Sequence, residues 1–156
     1  MKEVAILLLV ALALNGCGSS TPTPQTAAGG VWSADLPGGS GEASGFSFTT
    51  QFTVNSDGTL SITYFQFLTH GTCFPISGGT QTGTMALTAN TTTFAVTGTF
   101  TYTVQSANNT LTLNGTVTGS QAGTTLSGGT VTGSWTLTGD PGCTGTTGSF
   151  TMTQIS

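Results

Sequence analysis

Five times between Thr82 and Phe150 the chain repeats a short pattern of hydroxyl residue or asparagine, glycine, hydroxyl residue and apolar residue. The copies are Thr82-Gly83-Thr84-Met85, Thr97-Gly98-Thr99-Phe100, Asn114-Gly115-Thr116-Val117, Thr132-Gly133-Ser134-Trp135 and Thr147-Gly148-Ser149-Phe150. Their glycines lie 15, 17, 18 and 15 residues apart. That interval holds one strand of about ten residues and a turn, and is too short for a strand and a crossover helix. Within each copy apolar and polar residues alternate, which is the period of a strand with one buried face.

The alternation assigns the faces. One face of a fifth strand carries Phe94, Val96, Gly98, Phe100, Tyr102 and Val104, against Thr97, Thr99, Thr101 and Thr103 on the other. Leu111, Leu113, Gly115 and Val117 then oppose Thr110, Thr112, Asn114 and Thr116, and Val131, Gly133, Trp135 and Leu137 oppose a further row of Thr and Ser. Upstream, Phe46, Phe48, Phe52 and Val54 alternate with Ser47, Thr49, Gln51 and Thr53, and Asn55-Ser56-Asp57-Gly58 leads into Leu60, Ile62 and Tyr64. Asp-Gly tolerates the positive φ of a tight turn, so this stretch predicts a hairpin. With a short first strand around Val31 to Leu36, the reading is all-β: an antiparallel up-and-down meander of eight strands, enough to close a barrel and remove exposed edges. Glycine on the apolar face lets a strand bend or a large neighbour such as Trp135 fill the interior. The opening Gly30-Val31-Trp32 is loosely similar to the starts of avidin-like and lipocalin-like barrels, a similarity of shape without a ligand motif.

Charged residues make up 4% of the chain, and its one basic side chain is Lys2. From Cys17 onward the only charges are the acids Asp35, Glu42, Asp57 and Asp140. Such a surface has no cation to release the counterions of a nucleic acid, so no nucleic-acid partner is expected. The same absence argues against a nucleotide-handling enzyme, since phosphoryl chemistry relies on Lys, Arg or a metal cluster at the developing charge.

Val4 to Leu14 is an apolar run of eleven residues. A transmembrane helix needs about 20, so the run fits the core of an export signal. The ending Leu14-Asn15-Gly16-Cys17 resembles the lipobox of bacterial lipoproteins. The resemblance covers residues 1–17 and implies cleavage before Cys17, a diacylglycerol thioether on its sulfur and a membrane partner reached through that anchor. It places the protein in the cell envelope, on the outer membrane if the cell has one. Gly18 to Gly30, rich in Thr, Pro, Ser and Gly, reads as a flexible tether. The domain reading is therefore a signal peptide at 1–16, lipidated Cys17 and tether at 17–30, and a β-barrel domain at 31–156.

Cys73 and Cys143 remain after Cys17, in a compartment that permits oxidation, and pairing them as a disulfide is the expectation. The meander sends the connections after strands one, three, five and seven to one end, which would gather Glu42, His70, Phe74 and Asp140 as a candidate ligand mouth under a disulfide lid. A zinc site using His70, Cys73 and Cys143 lacks a fourth nearby ligand, so no metal or other cofactor is expected. Asp57 and Asp140 sit in turn sequences and His70 is the only histidine, a poor basis for the base–nucleophile pair or paired carboxylates of a hydrolase. Threonine rows invite comparison with ice-binding proteins, but a twisted meander does not offer a flat lattice. Phe65 and Phe67 fall on the face otherwise formed by Thr59, Ser61 and Thr63. They are either an exposed contact surface, or turned inward by a bulge or covered by the 69–81 loop.

These residues describe a lipid-anchored, non-enzymatic envelope protein. Its barrel either binds an unknown small molecule or serves as a structural or protein-interaction module with an envelope protein. An enclosed, partly polar space would favour the first and a packed interior the second.

Overall fold

A computed structural model of the protein describes residues 28–39 and 41–156. The signal peptide, Cys17 and the tether up to residue 27 lie outside the described residues. Eight strands follow one another: β1 (Gly30–Leu36), β2 (Phe46–Val54), β3 (Leu60–Thr69), β4 (Thr80–Ala89), β5 (Ala95–Gln105), β6 (Thr110–Ala122), β7 (Thr125–Thr138) and β8 (Thr146–Gln154). All pair antiparallel in one sheet of order β3-β2-β1-β8-β7-β6-β5-β4. The first and last strands pair, with Trp32 opposite Gln154 and Asp35 opposite Thr151. The meander is thus curled strongly, as a half-barrel whose free edges are β3 and β4. Those edges meet at one bridge, Thr59 with Thr84, where the Met85 N–H donates to Gly58 O at 2.8 Å.

The cross-strand register explains the repeat. Phe100 lies opposite Gly115, Phe150 opposite Gly133, Trp135 opposite Gly148 and Tyr102 opposite Gly83. Each large inward ring therefore faces a residue without a side chain on the neighbouring strand. A Cβ added at Gly148 would come within 2.6 Å of Trp135 Nε1, and one at Gly115 within 2.9 Å of Phe150 Cζ. Glycine is needed there for space, as the alternation predicts.

The apolar faces point inward. Trp32, Phe46, Phe48, Phe52, Phe100, Tyr102, Leu111, Leu113, Val131 and Trp135 are all buried, and the Thr and Ser rows lie outside. The outer rows also register across strands, as where Thr99 faces Thr116 and Thr116 faces Thr132.

Four details depart from the sequence reading. Phe94 is not a core residue: it sits in the turn before β5 with φ 57° and is 58% exposed. Its carbonyl accepts the Gln121 N–H at 2.7 Å, so the backbone is held in the turn and the ring is turned out. The strands β6 and β7 run further than the alternation indicated, because a register shift between Thr118 and Ser120 lets the ladder continue to the Ala122–Thr125 pair. The last tether residues belong to the folded body, Ala28 being fully buried and Gly30 already in β1.

Phe65 and Phe67 are the fourth. They are not an exposed pair, because both inward-turning devices operate. In β3, Tyr64 faces Gln51 while Ile62 faces Phe52, leaving Thr63 as an extra residue that exchanges the faces of the strand. Phe67 is fully buried and Phe65 packs on the core. The loop at 70–79 then covers them, with the Phe67 N–H donating to Ile76 O at 3.1 Å and Gly78 lying against the Phe65 ring.

Candidate functional site

The antiparallel meander brings four connections to one end of the sheet: 37–45, 70–79, 106–109 and 139–145. Cys73 and Cys143 form a disulfide there, with Cα atoms 5.9 Å apart across a sequence separation of 70. The bond joins the second connection to the fourth. The first is tied in by the Thr72 N–H, which donates to Glu42 O at 3.3 Å within the 3-10 turn Gly41–Ala43. Asn109 ties in the third: its Nδ2 donates to Cys73 O at 2.8 Å, and its Oδ1 accepts the Asp140 N–H at 2.9 Å. All four connections are therefore locked together over the end of the sheet.

Each residue of the expected ligand mouth lies at this end, in a different setting. Phe74 is buried, 6.1 Å from Phe46 and 5.3 Å from Phe67 between ring centroids. Glu42 and Asp140 are exposed on the outside of the locked loops. The Asp140 carbonyl accepts from the N–H groups of Cys143 and Thr144, both at 3.0 Å, so this residue builds the turn that carries the disulfide. His70 is partly buried, its ring 5.9 Å from Phe67, and its Nδ1 is buried without a hydrogen-bond partner. Among the described residues no three His, Cys, Asp or Glu side chains are grouped to hold a metal ion.

Beneath the lid the interior is a continuous series of rings. Trp32 stacks on Phe52 at 5.8 Å, Phe52 meets Phe100 at 6.4 Å, Phe100 stacks on Tyr102 at 5.9 Å and Tyr102 on Phe48 at 5.7 Å. Phe48 meets Phe67 at 6.0 Å, Phe67 meets Phe46 at 6.1 Å, and Phe46 reaches Trp135 at 5.6 Å. Offset and edge-to-face arrangements at these separations are the favourable geometries for aromatic pairs. One polar pair sits within the series. Thr50 is buried, its hydroxyl lies 2.9 Å from the Tyr102 hydroxyl, and it donates to Tyr64 O at 3.0 Å. Burial raises the Tyr102 pKa well above the usual tyrosine value, with the Thr50 hydrogen bond a smaller opposing influence.

The opposite end holds a shallow groove of about 270 Å³ lined by Leu126, Ser127, Gly128, Gln154, Ile155 and Ser156. Gln154 organises it: Oε1 accepts the Gly129 N–H at 3.3 Å and Nε2 donates to Gly29 O at 3.2 Å. That one side chain joins β7 at Gly129, the end of β8 and the incoming chain. Asp57 is on the same end, in the β2–β3 turn. The Thr59 hydroxyl and backbone N–H, at 2.7 and 2.9 Å, hold its carboxyl below the usual aspartate range.

Sequence reasoning missed Asn109, Gln154 and Thr50. Thr50 alone had a signal, since it occupies the inward parity of Phe46, Phe48 and Phe52. Asn109 and Gln154 act on residues distant in sequence, which no local pattern announces. Compared with known protein families, curated proteins and solved structures, the chain matches none.

Proposed function

We propose that this chain is a lipid-anchored, non-enzymatic cell-envelope protein whose domain works through its outer surface, as a structural or protein-interaction module. The observation that carries this reading is the ring series from Trp32 to Trp135 beneath Phe74. A small-molecule site needs volume with a few polar groups aimed into it. Here the inward positions are occupied by rings, and the central polar pair, Thr50 and Tyr102, satisfies itself. In this reading β3 and β4 lie along a closed seam, and the disulfide-locked end faces away from the membrane. The lipobox-like Leu14-Asn15-Gly16-Cys17 supports the anchor and the envelope location. Native mass spectrometry of the protein purified from its own cells tests the choice. The expected species is the acylated polypeptide, alone or with a protein partner; a small molecule retained in stoichiometric amount would restore the ligand-binding reading.

A further inference from the structure

The chain enters the folded domain at the end opposite the disulfide. Ala28 is buried there, and the Val31 N–H donates to Ser156 O at 2.8 Å, so the entering and leaving chains are side by side. Two large apolar side chains stand out from this rim: Phe94, 58% exposed, and Ile155, 59% exposed. Phe94 is held outward by its turn. Its N–H donates to Asn90 O at 2.8 Å, while Asn90 Oδ1 accepts the N–H groups of Thr92 and Thr93, both at 2.9 Å. A bulky residue at positive φ is uncommon, and persists where the surroundings fix it. Gln121, which donates to Phe94 O, pairs with Leu126, and Leu126 lines the groove together with Ile155. Phe94, the groove and Ile155 are thereby successive parts of one rim. Between them the groove is lined by Ser127, Gly128 and Gln154, none of which has a charged side chain.

We propose that this rim is a membrane-contact face, on which the domain rests against the lipid surface that holds its own anchor. The inference rests on the lipid-anchor reading. Ten residues, 18–27, separate Cys17 from Ala28. Fully extended at about 3.1 Å each they span about 31 Å, so this is the end of the domain that the anchor ties within that distance of the bilayer. An aromatic and a branched aliphatic side chain then reach the headgroup region, where such residues are favoured. Because the domain has no Lys or Arg, the contact does not draw on cation pairing with anionic headgroups and rests on the apolar side chains. Ile76, equally exposed, is in the β3–β4 connection at the far end and remains in water.

The test uses the full protein isolated from its cells and reconstituted into phosphatidylcholine vesicles, with or without brominated acyl chains. Tryptophan is placed at the rim by Phe94→Trp and separately by Ile155→Trp, and at the far end by Ile76→Trp. Trp32 and Trp135 are buried, and the unsubstituted protein supplies their background. All proteins are expected to float with the vesicles, and brominated lipid is expected to quench the added emission at 94 and 155 by about half or more while leaving that at 76 unchanged. Flotation with no more quenching at 94 and 155 than at 76 would overturn the contact face and leave the anchor standing. Failure of the unsubstituted protein to float would overturn the anchor and the contact together.

Discussion

Tyr102 is the residue at which a buried hydroxyl links the core to pH. Its pKa is raised by burial in the fold, whereas in the unfolded chain it ionises near 10. Above pH 10 the unfolded state gives up a proton that the folded state keeps, so stability falls as pH rises through that range. One such proton corresponds to about 1.4 kcal/mol per pH unit. In Tyr102→Phe the Thr50 hydroxyl keeps Tyr64 O as its acceptor, so the loss at neutral pH is about 1 kcal/mol. Urea unfolding of both proteins from pH 7 to 11.5 measures this, as linkage requires for about one proton. The curves are expected to converge above pH 10, and parallel curves would mean that Tyr102 ionises as readily folded as unfolded.

At the scale of the element, β3 shows where alternation succeeds and where it stops. Leu60 and Ile62 obey it, then Thr63 is inserted and Phe65 and Phe67 take up the opposite parity while remaining inward. Deleting Thr63 is therefore expected to leave both rings inside. Deleting Gln66 turns Phe67 out of the core, at about 3 kcal/mol or more for the buried ring. Thermal unfolding of the two deletion variants compares them: equal losses would mean that the bulge does not set the faces. The strands themselves were legible because a Thr-Gly-Thr-apolar unit can bury only one face, and the register shows why glycine recurs opposite Phe100, Phe150 and Trp135. The bulge was legible only as an anomaly, two aromatics on a threonine face, since one extra residue leaves no mark of its own. The turn of Phe94 was missed because its ring continues the parity of Val96 and Phe100 while its backbone does not. The candidate mouth was legible as a location, from the direction of the strands. How its loops are tied depends on Phe74 packing and on Asn109 bridging two of them, which are properties of the assembled end.

For the whole molecule, the disulfide and the packing of the sheet around its apolar faces are the two constraints that act across the fold. Cys73 and Cys143 close a separation of 70 residues. Cys73→Ser with Cys143→Ser is expected to lower stability by about 4 kcal/mol on the loop-entropy account. Asn109 still links the same loops, so the variant should fold with unchanged far-ultraviolet circular dichroism; a change below 1 kcal/mol by urea unfolding, far under the ~4 expected from, would show that the lid contributes little. The wider claim is that the rings face inward and the threonines outward, the reverse of a membrane-spanning barrel, which presents its apolar face to lipid. Residues 28–156, produced without the preceding segment and with the disulfide oxidised, test it in analytical ultracentrifugation without detergent. The account predicts a folded, water-soluble monomer with the near-ultraviolet dichroism of packed aromatic rings, whereas folding only on addition of detergent or lipid would contradict it.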